Sequence, residues 1–582
     1  MTLSTHLTYL EASGLLRLAQ MEPELEYLFR HALIQDAAYA SLLRADRRVL
    51  HRAIAEVLER TYPNQLDELA PVLGRHYRGA GETERARNYF QQAGNGALRN
   101  YANREAEQHF RAALESSQSA SDRAQALSSL GEALFWQGRF ADAFIVWREA
   151  MAICQSGENI DMDFVLHLCA RSARAASNED GSEARSWALC QEGLQLAEGQ
   201  PDTPGLALLL CESAQAAFSN GRREEARSFC QRAVSMAEAL DGGETQVRAL
   251  LTLSMILTLE DKNYTQAETT LRQALTLAEA AGNLRLVAQA HNYFGGFAHS
   301  AWGDYRAERD HRQQAAEAYR RMGTASHELN SLSVAAFCSI LLGEFAFAEA
   351  TLPRLHDLLR VIPGTSEVEW VALTVEIPLL RYQGEWEQAI SRLLTYQAET
   401  RQRNDPDTLG NVDLSLGEIF LEQGEWSRAE EVLLEASECW KPLGWGTTWP
   451  LCLLSRVCAR QGRVEEARRL LTEAREQAGP QPISGNELRL PLALAQLAVA
   501  EGNWPEAWAA FETATQLQTR RGLRWDYAQT LRQRAEALLA RNESGDVDRA
   551  RALLHEAQSE FETMHVPKYA ALVHQRHLSL EI

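Results

Sequence analysis

The sequence predicts an all-α solenoid of stacked helical hairpins, on three observations. The chain has 582 residues, more than one ordinary globular core organises, so it holds several domains or a quasi-one-dimensional repeat array. It is rich in Ala, Leu, Glu, Arg and Gln, with only 16 prolines and few β-branched runs, which suits helices and not long sheets. A signature, Gly-x-(aromatic or aliphatic)-x-x-Ala, recurs as QGRFADA, WGDYRAE, LGEFAFAEA, QGEWEQA, QGEWSRA, QGRVEEA, EGNWPEA and SGDVDRA. Its glycines are Gly138, Gly303, Gly343, Gly384, Gly424, Gly462, Gly502 and Gly545. Gly81, Gly181, Gly221 and Lys262 are weaker relatives, and from Gly138 onward the positions fall 38 to 43 residues apart. Self-similarity at a fixed period marks a repeat architecture.

Each repeat reads as one hairpin. In LSLGEIFLEQGEWSRAEEVLLEA, Leu416 and Phe420 share a face of a first helix, Gly417 between them admits the partner helix, and Gly424 supplies the turn. Ala429, Leu433 and Ala436 return to the same seam on a second helix. The stretch LSSLGEALFWQGRFADAFIVWREA repeats these positions as Leu130, Gly131, Leu134, Gly138, Phe140, Ala143, Trp147 and Ala150. Such a hairpin cannot bury its apolar face alone, so neighbours must stack. The turn aromatics Phe140, Tyr264, Tyr305, Phe345, Trp386, Trp426 and Trp504 keep a fixed offset from the turn position, so each is expected to pack between its own two helices.

This pattern resembles the tetratricopeptide repeat. The usual repeat has about 34 residues, whereas this array runs near 40, which lengthens each helix by about one turn, as in the long-repeat superhelices of bacterial signalling ATPases. The resemblance implies a right-handed superhelix with first helices on its inner wall.

The ends do not repeat. HLTYLEASGLL reads as a short helix, GLLRLA and EYLFRH as two strands joined by the polar turn QMEPE, and HALIQDAAYASLLRADRRVLHRAIAEVLER as helical. Phe29, His31, Leu33, Ala38, Tyr39, Leu42, Arg48, Leu50 and His51 resemble the junction at which STAND-class signal-transduction ATPases, including those joined to class III adenylate or guanylate cyclases, pass from a winged helix into tetratricopeptide repeats. The sequence has no Gly-x-x-x-x-Gly-Lys-Ser/Thr loop, no cyclase region and no complete winged helix. The resemblance thus implies a fragment, a split partner, or a chain whose upstream domains were lost. The expected layout is a small α/β winged-helix remnant at 1–30, linking helices at 31–64, irregular hairpins at 65–117, the regular array at 118–565 and a solvated capping helix at 566–582.

A net charge of −21 opposes a broad grip on nucleic acid or anionic lipid. No signal peptide and no run of roughly 18 apolar residues is found, so a cytoplasmic chain is expected. The nine cysteines, odd in number and without a C-x-x-C pair, read as small buried hydrophobes. No cofactor, metal ion or catalytic group is expected: His291, His299 and His311 lack the spacing and acidic company of a metal motif, and no nucleophile–base set is in evidence. Two carboxylates fall out of pattern, Glu376 at an apolar seam position and Glu308 at the second-helix alanine; a functional site, irregular packing or a register shift each accounts for them.

The inner wall selects candidate groove residues beside each leucine-glycine pair: Trp136; Tyr293 and Phe297; Asn330, Ser333 and Phe337; Arg381 and Tyr382; Trp449, Arg456 and Arg460; Arg489 and Gln496. Arginines beside aromatics on one wall of an acidic chain either receive an acidic or phosphorylated segment or an anionic small molecule, or pair with glutamates of adjacent repeats. WKPLGWGTTWP, with Trp440, Trp445 and Trp449, is a contact surface or a hydrophobic plug. The expected function is a non-catalytic sensing or interaction module holding a protein, a peptide or a small-molecule inducer, with an ATPase or cyclase effector upstream or separately encoded. The alternative is a free-standing scaffold that presents extended peptides.

Overall fold

The structure, a computed structural model, describes every residue except 1–2, 21–25, 157–160, 179–182, 241–242, 260, 363–365, 442–446, 480–483 and 579–582. The expected QMEPE turn, Gly181 and Trp445 thus lie wholly or mainly outside the described residues. The chain is an all-α helical repeat with a small N-terminal two-strand sheet, and it divides into two compact units, residues 1–197 and 198–582.

In the first unit, α1 (Leu3–Ala12) precedes an antiparallel pair, β1 (Leu16–Gln20) and β2 (Glu26–Phe29), with Leu16 opposite Phe29 and Leu18 opposite Tyr27. The helical stretch that follows is broken at Leu42 and Leu43 into α2 (Ala32–Ser41) and α3 (Arg44–Thr61). Next come α4 (Leu66–Ala80), α5 (Thr83–Arg99) and α6 (Asn103–Ser116), then two hairpins, α7 (Ala120–Phe135) with α8 (Phe140–Gln155) and α9 (Met162–Ser177) with α10 (Glu183–Leu196). The irregularity of 65–117 has a simple form. Gly74 of α4 faces Phe90 of α5, and Gly94 of α5 faces Phe110 of α6, so α5 serves as second helix to one neighbour and first helix to the next.

Among the described residues, the second unit is a run of nine hairpins and a last helix. They are α11 (Pro204–Ser219) with α12 (Arg223–Ala239), α13 (Gly243–Leu259) with α14 (Tyr264–Ala280), and α15 (Leu284–Phe297) with α16 (Tyr305–Arg321). Then follow α17 (Ala325–Leu341) with α18 (Phe345–Leu359), and α19 (Ser366–Val371) and α20 (Ile377–Gln383) with α21 (Trp386–Arg403). The series ends with α22 (Pro406–Gln423) and α23 (Trp426–Trp440), α24 (Thr448–Arg460) and α25 (Val464–Ala478), α26 (Ser484–Glu501) and α27 (Trp504–Arg521), α28 (Arg524–Arg541) and α29 (Asp546–Thr563), and α30 (Pro567–Leu578).

The small residues act as the pattern predicts. A Cβ built on Gly417 would lie 2.5 Å from Leu433, and one on Gly131 would strike Trp147, so only glycine admits these second-helix side chains. Every described turn glycine of the series has positive φ, and Lys262 adopts +53° in the same role.

Two first helices carry π-turns, Ala298–Trp302 after α15 and Ala372–Glu376 between α19 and α20. A π-turn inserts one residue into the helical register, which displaces the residues after it from the seam and accounts for Glu376. Its carboxylate is held by His356 at 2.6 Å and Arg392 at 2.5 Å. Glu308, buried at the alanine position, meets His299 at 3.0 Å from the other π-turn and accepts from the Cys338 thiol at 3.4 Å.

The last helices do not end in solvent. Trp525, Leu531, Phe561, Met564 and Tyr569 share one apolar core with Leu329, Ile340, Phe345, Val375 and Tyr382, so α28, α29 and α30 pack on α17, α18 and α20. One expectation is corrected by this closure and one extended. The cap read as solvated buries Tyr569, Ala570 and Val573. Trp386 packs against a core that includes Ile377, Ala389 and Leu393 of its own hairpin, as expected, and in addition donates from Nε1 to Tyr569 Oη at 3.1 Å and lies under Lys568 Nζ at 4.5 Å. Phe140, by contrast, packs edge-on against Phe135 of its own hairpin.

Candidate functional site

First helices of the second unit bring charged side chains into its interior. On α20, Arg381 donates from Nε to Glu422 at 2.7 Å and from Nη1 to Glu418 at 2.6 Å. Tyr569 Oη lies 2.6 Å from the second oxygen of Glu422. Arg381 is thus neutralised twice over, and its pKa is pushed up by both carboxylates against the opposing effect of burial. Tyr382 beside it is buried against Trp525, with ring centroids 4.5 Å apart.

On α24, Trp449, Arg456 and Arg460 follow one another at helical spacing on one face. Arg460 donates to Glu536 of α28 at 3.0 Å. Arg456 has no such partner among the described residues: its Nε is buried without an acceptor, and burial, then Arg460, draws its pKa down to about 10. The Arg489 guanidinium of α26 lies 3.3 Å over the Trp449 ring, whose Nε1 is also buried and unpaired. Gln496, buried on the same helix, donates to Gln533 of α28 at 2.9 Å. On α28, burial raises Asp526 to about 6 despite the pull of Arg381 and Arg489.

The candidate residues therefore separate. Arg381, Tyr382, Trp449, Arg456, Arg460, Arg489 and Gln496 line this one interior, within which Tyr382 and Gln496 are core side chains. Phe297 is buried edge-on to Trp302 and Ser333 is buried with its hydroxyl donating to Leu329 O at 2.8 Å, while Tyr293 and Phe337 are half-buried and Asn330 is exposed. Trp136 belongs to the first unit, where it is buried and donates to Glu132 at 2.6 Å. Of the tryptophan-rich stretch, Trp440 is a core residue packed on Gly410. Sequence reasoning missed Glu418, Glu422 and Asp526; the first two fall one and five residues after Gly417, a signal that the pattern contained.

Elsewhere the chemistry is closed. Glu430, Cys458 and Glu466 converge as metal ligands would, but Arg463 donates to both carboxylates, at 2.5 and 2.7 Å, and burial pushes Cys458 up to about 11. All nine thiols are free, seven of them buried. Among the described residues no helix is long and apolar enough to cross a membrane.

Residues 123–157, the hairpin of Gly131 and Trp147, match the family model of the tetratricopeptide repeat. That hairpin is a tetratricopeptide repeat by sequence, and the other hairpins share its glycine and alanine spacing. No curated relative matches it in sequence. Among solved structures it is similar to the APC/C hetero-tetramer Cut9–Hcn1, at 15% identity over 85% of this chain and 91% of that one, with a TM-score of 0.43. It is also similar to a signal-transduction ATPase with numerous domains (STAND) that carries a tetratricopeptide-repeat sensor, from Pyrococcus horikoshii, at 15% identity over 72% of this chain and 58% of that one, with a TM-score of 0.40. A third similarity is to a Rap protein complexed with competence and sporulation factor, at 10% identity over 79% of this chain and 98% of that one, with a TM-score of 0.27.

Proposed function

We propose that the chain is a non-catalytic recognition arm of a signalling or regulatory system: its repeats hold a protein, peptide or small-molecule inducer, and its N-terminal segment docks on an effector. Tetratricopeptide repeats are usually non-catalytic and generally bind peptides or proteins. The observation that carries the docking half is the surface of residues 28–57. Among the described residues α2 buries no side chain and α3 buries only Ala55. Leu33, Leu43, Val49, Leu50, Ile54 and Val57 are exposed, Leu33 by 82% and Leu43 by 72%. Leu50, Ile54 and Val57 follow at helical spacing on α3, and an exposed apolar face of this kind marks an interaction surface; Arg44 and Arg48 beside it favour an acidic counterpart, Arg52 being ion-paired to Glu82. It coincides with the junction that resembles the STAND-class ATPases.

The experiment is a binding measurement with an effector. A P-loop ATPase or cyclase region encoded in frame before this sequence, or by a neighbouring gene, is purified and titrated onto the chain. The triple variant Val49→Asp, Leu50→Asp, Ile54→Asp is expected to weaken binding at least 100-fold, the loss of roughly 3 kcal/mol of apolar contact. Binding untouched by the triple variant, or no such region to titrate, leaves the scaffold that presents extended peptides as the better reading.

A further inference from the structure

Among the described residues, the unpaired buried polar atoms on α24 and α28 are donors, Trp449 Nε1, Arg456 Nε, Trp525 Nε1 and Gln529 Nε2, while the neighbouring α22 and α27 each leave one glutamine oxygen unpaired, Gln423 Oε1 and Gln518 Oε1. A buried arginine Nε without an acceptor is costly, and a chain that keeps one where an apolar residue would pack is carrying it for something other than stability. The contrast with Arg381 shows that this chain supplies carboxylates where an arginine is structural: Arg381 has two, Arg456 none within ion-pair distance among the described residues. Arg456, Arg489 and Asp526 also keep partial solvent exposure, so a small solute can reach them.

We infer that this interior is a binding site for a small molecule carrying a phosphate or carboxylate group, with Arg456 and Arg489 as its cationic donors and Trp449 as an adjoining wall and neutral donor. The chemistry follows from what is unsatisfied. An oxyanion offers only acceptors, and charge-assisted bonds to guanidinium groups are the strong ones. Glu418 and Glu422 spend their hydrogen bonds on Arg381 and Tyr569 and act on Arg456 only through space, raising its pKa without bonding it. Asp526, whose carboxyl burial has already moved toward its neutral form, opposes an incoming anion less than an ordinary aspartate would. The inference rests on the reading of the repeats as a recognition arm, and it names the class of inducer.

The test uses the full chain at constant ionic strength and compares inorganic phosphate, succinate and chloride alone by thermal unfolding and tryptophan fluorescence. Phosphate or succinate, and not chloride, is expected to raise the melting temperature saturably, by a few degrees at about 100 times Kd; which one acts separates a phosphate from a carboxylate ligand. Arg456→Met is expected to abolish that response and to melt higher than the native chain in chloride, because it removes a largely desolvated cation with an unpaired Nε. Arg456→Gln, which packs more conservatively, is expected to abolish the response as well. A response that persists in both variants, no saturable response of the native chain to either anion, or an Arg456→Met variant that melts lower in chloride overturns the inference. Effector binding measured on Arg456→Met keeps the two readings apart: if it is intact while the anions do nothing, only the anion site fails.

Discussion

Two regions of this chain break the rule that apolar groups go inside and charges outside, and they break it in opposite directions. Residues 28–57 leave Leu33, Leu43, Val49, Leu50, Ile54 and Val57 on the surface, while the C-terminal repeats take Arg381, Glu418, Glu422, Arg456 and Asp526 into their interior. An exposed apolar face costs little in the free chain and gains when covered. A buried charge costs at once unless it is paired. The first region can thus gain from being covered, as the proposed docking requires, whereas the second had to settle its electrostatics internally and left one arginine without a carboxylate partner among the described residues.

The largest effect should come from breaking the settled part. Arg381→Met leaves Glu418 and Glu422 in the interior without their cation and is expected to lower unfolding stability by about 3–5 kcal/mol, read by chemical denaturation. Adding Glu418→Gln and Glu422→Gln should restore most of the loss, since replacing a whole buried ion cluster is close to neutral. Equal instability of the single and triple variants would mean that Arg381 acts by packing and not by charge. The opposite signs expected for Arg381→Met and Arg456→Met, on one wall of one interior, are the sharpest form of the comparison.

A second buried charge makes the same point through pH. Asp413 of α22 is fully buried, accepts one hydrogen bond from Gln397 at 2.5 Å, and has its other oxygen unpaired. Burial raises its pKa to about 7. A carboxyl whose folded pKa lies above its unfolded value near 4 holds its proton longer in the folded chain, so stability is full below that value and falls as pH rises to about 7. Asp413→Asn should flatten this limb and stabilise the chain at pH 8 by on the order of 3 kcal/mol. A pH profile of unfolding that keeps its slope in the variant would place the titration elsewhere.

How much of this was legible in the sequence follows from the range over which each feature is decided. Hairpins were legible because Gly417 and Leu433, or Gly131 and Trp147, meet within one repeat. The turn at Lys262 was legible despite the missing glycine, since its neighbours kept time around it. The π-turn that ends at Glu376 was not: one inserted residue leaves period and composition almost unchanged and shows only as a carboxylate in the wrong place. The candidate arginines were legible as a wall, but their partners were not all so. Glu418 and Glu422 lie one repeat after Arg381, whereas the closure that places Tyr569 against Arg381 and Trp386 spans nearly two hundred residues and depends on accumulated curvature that no single repeat encodes.

The smallest effect on stability belongs to the N-terminal face, and it is the one that separates the two regions most cleanly. Leu50 and Ile54 lie one helical turn apart on α3, 48% and 43% exposed, so Leu50→Gln and Ile54→Gln remove little that is buried in the free chain. Each is expected to change unfolding stability by no more than about 0.5 kcal/mol, because glutamine is as good a helix former as the residues replaced and its methylenes can keep the partial cover that Leu50 and Ile54 have. An effector that covers this face would sense both changes strongly, since the apolar contact exists only in the complex. A variant that unfolds like the native chain and binds more weakly therefore assigns the face to docking. A loss of several kcal/mol in the free chain would instead mean that this face of α3, like its Ala55 and Leu58 side, packs on the chain's own residues, and the asymmetry between the two regions would disappear.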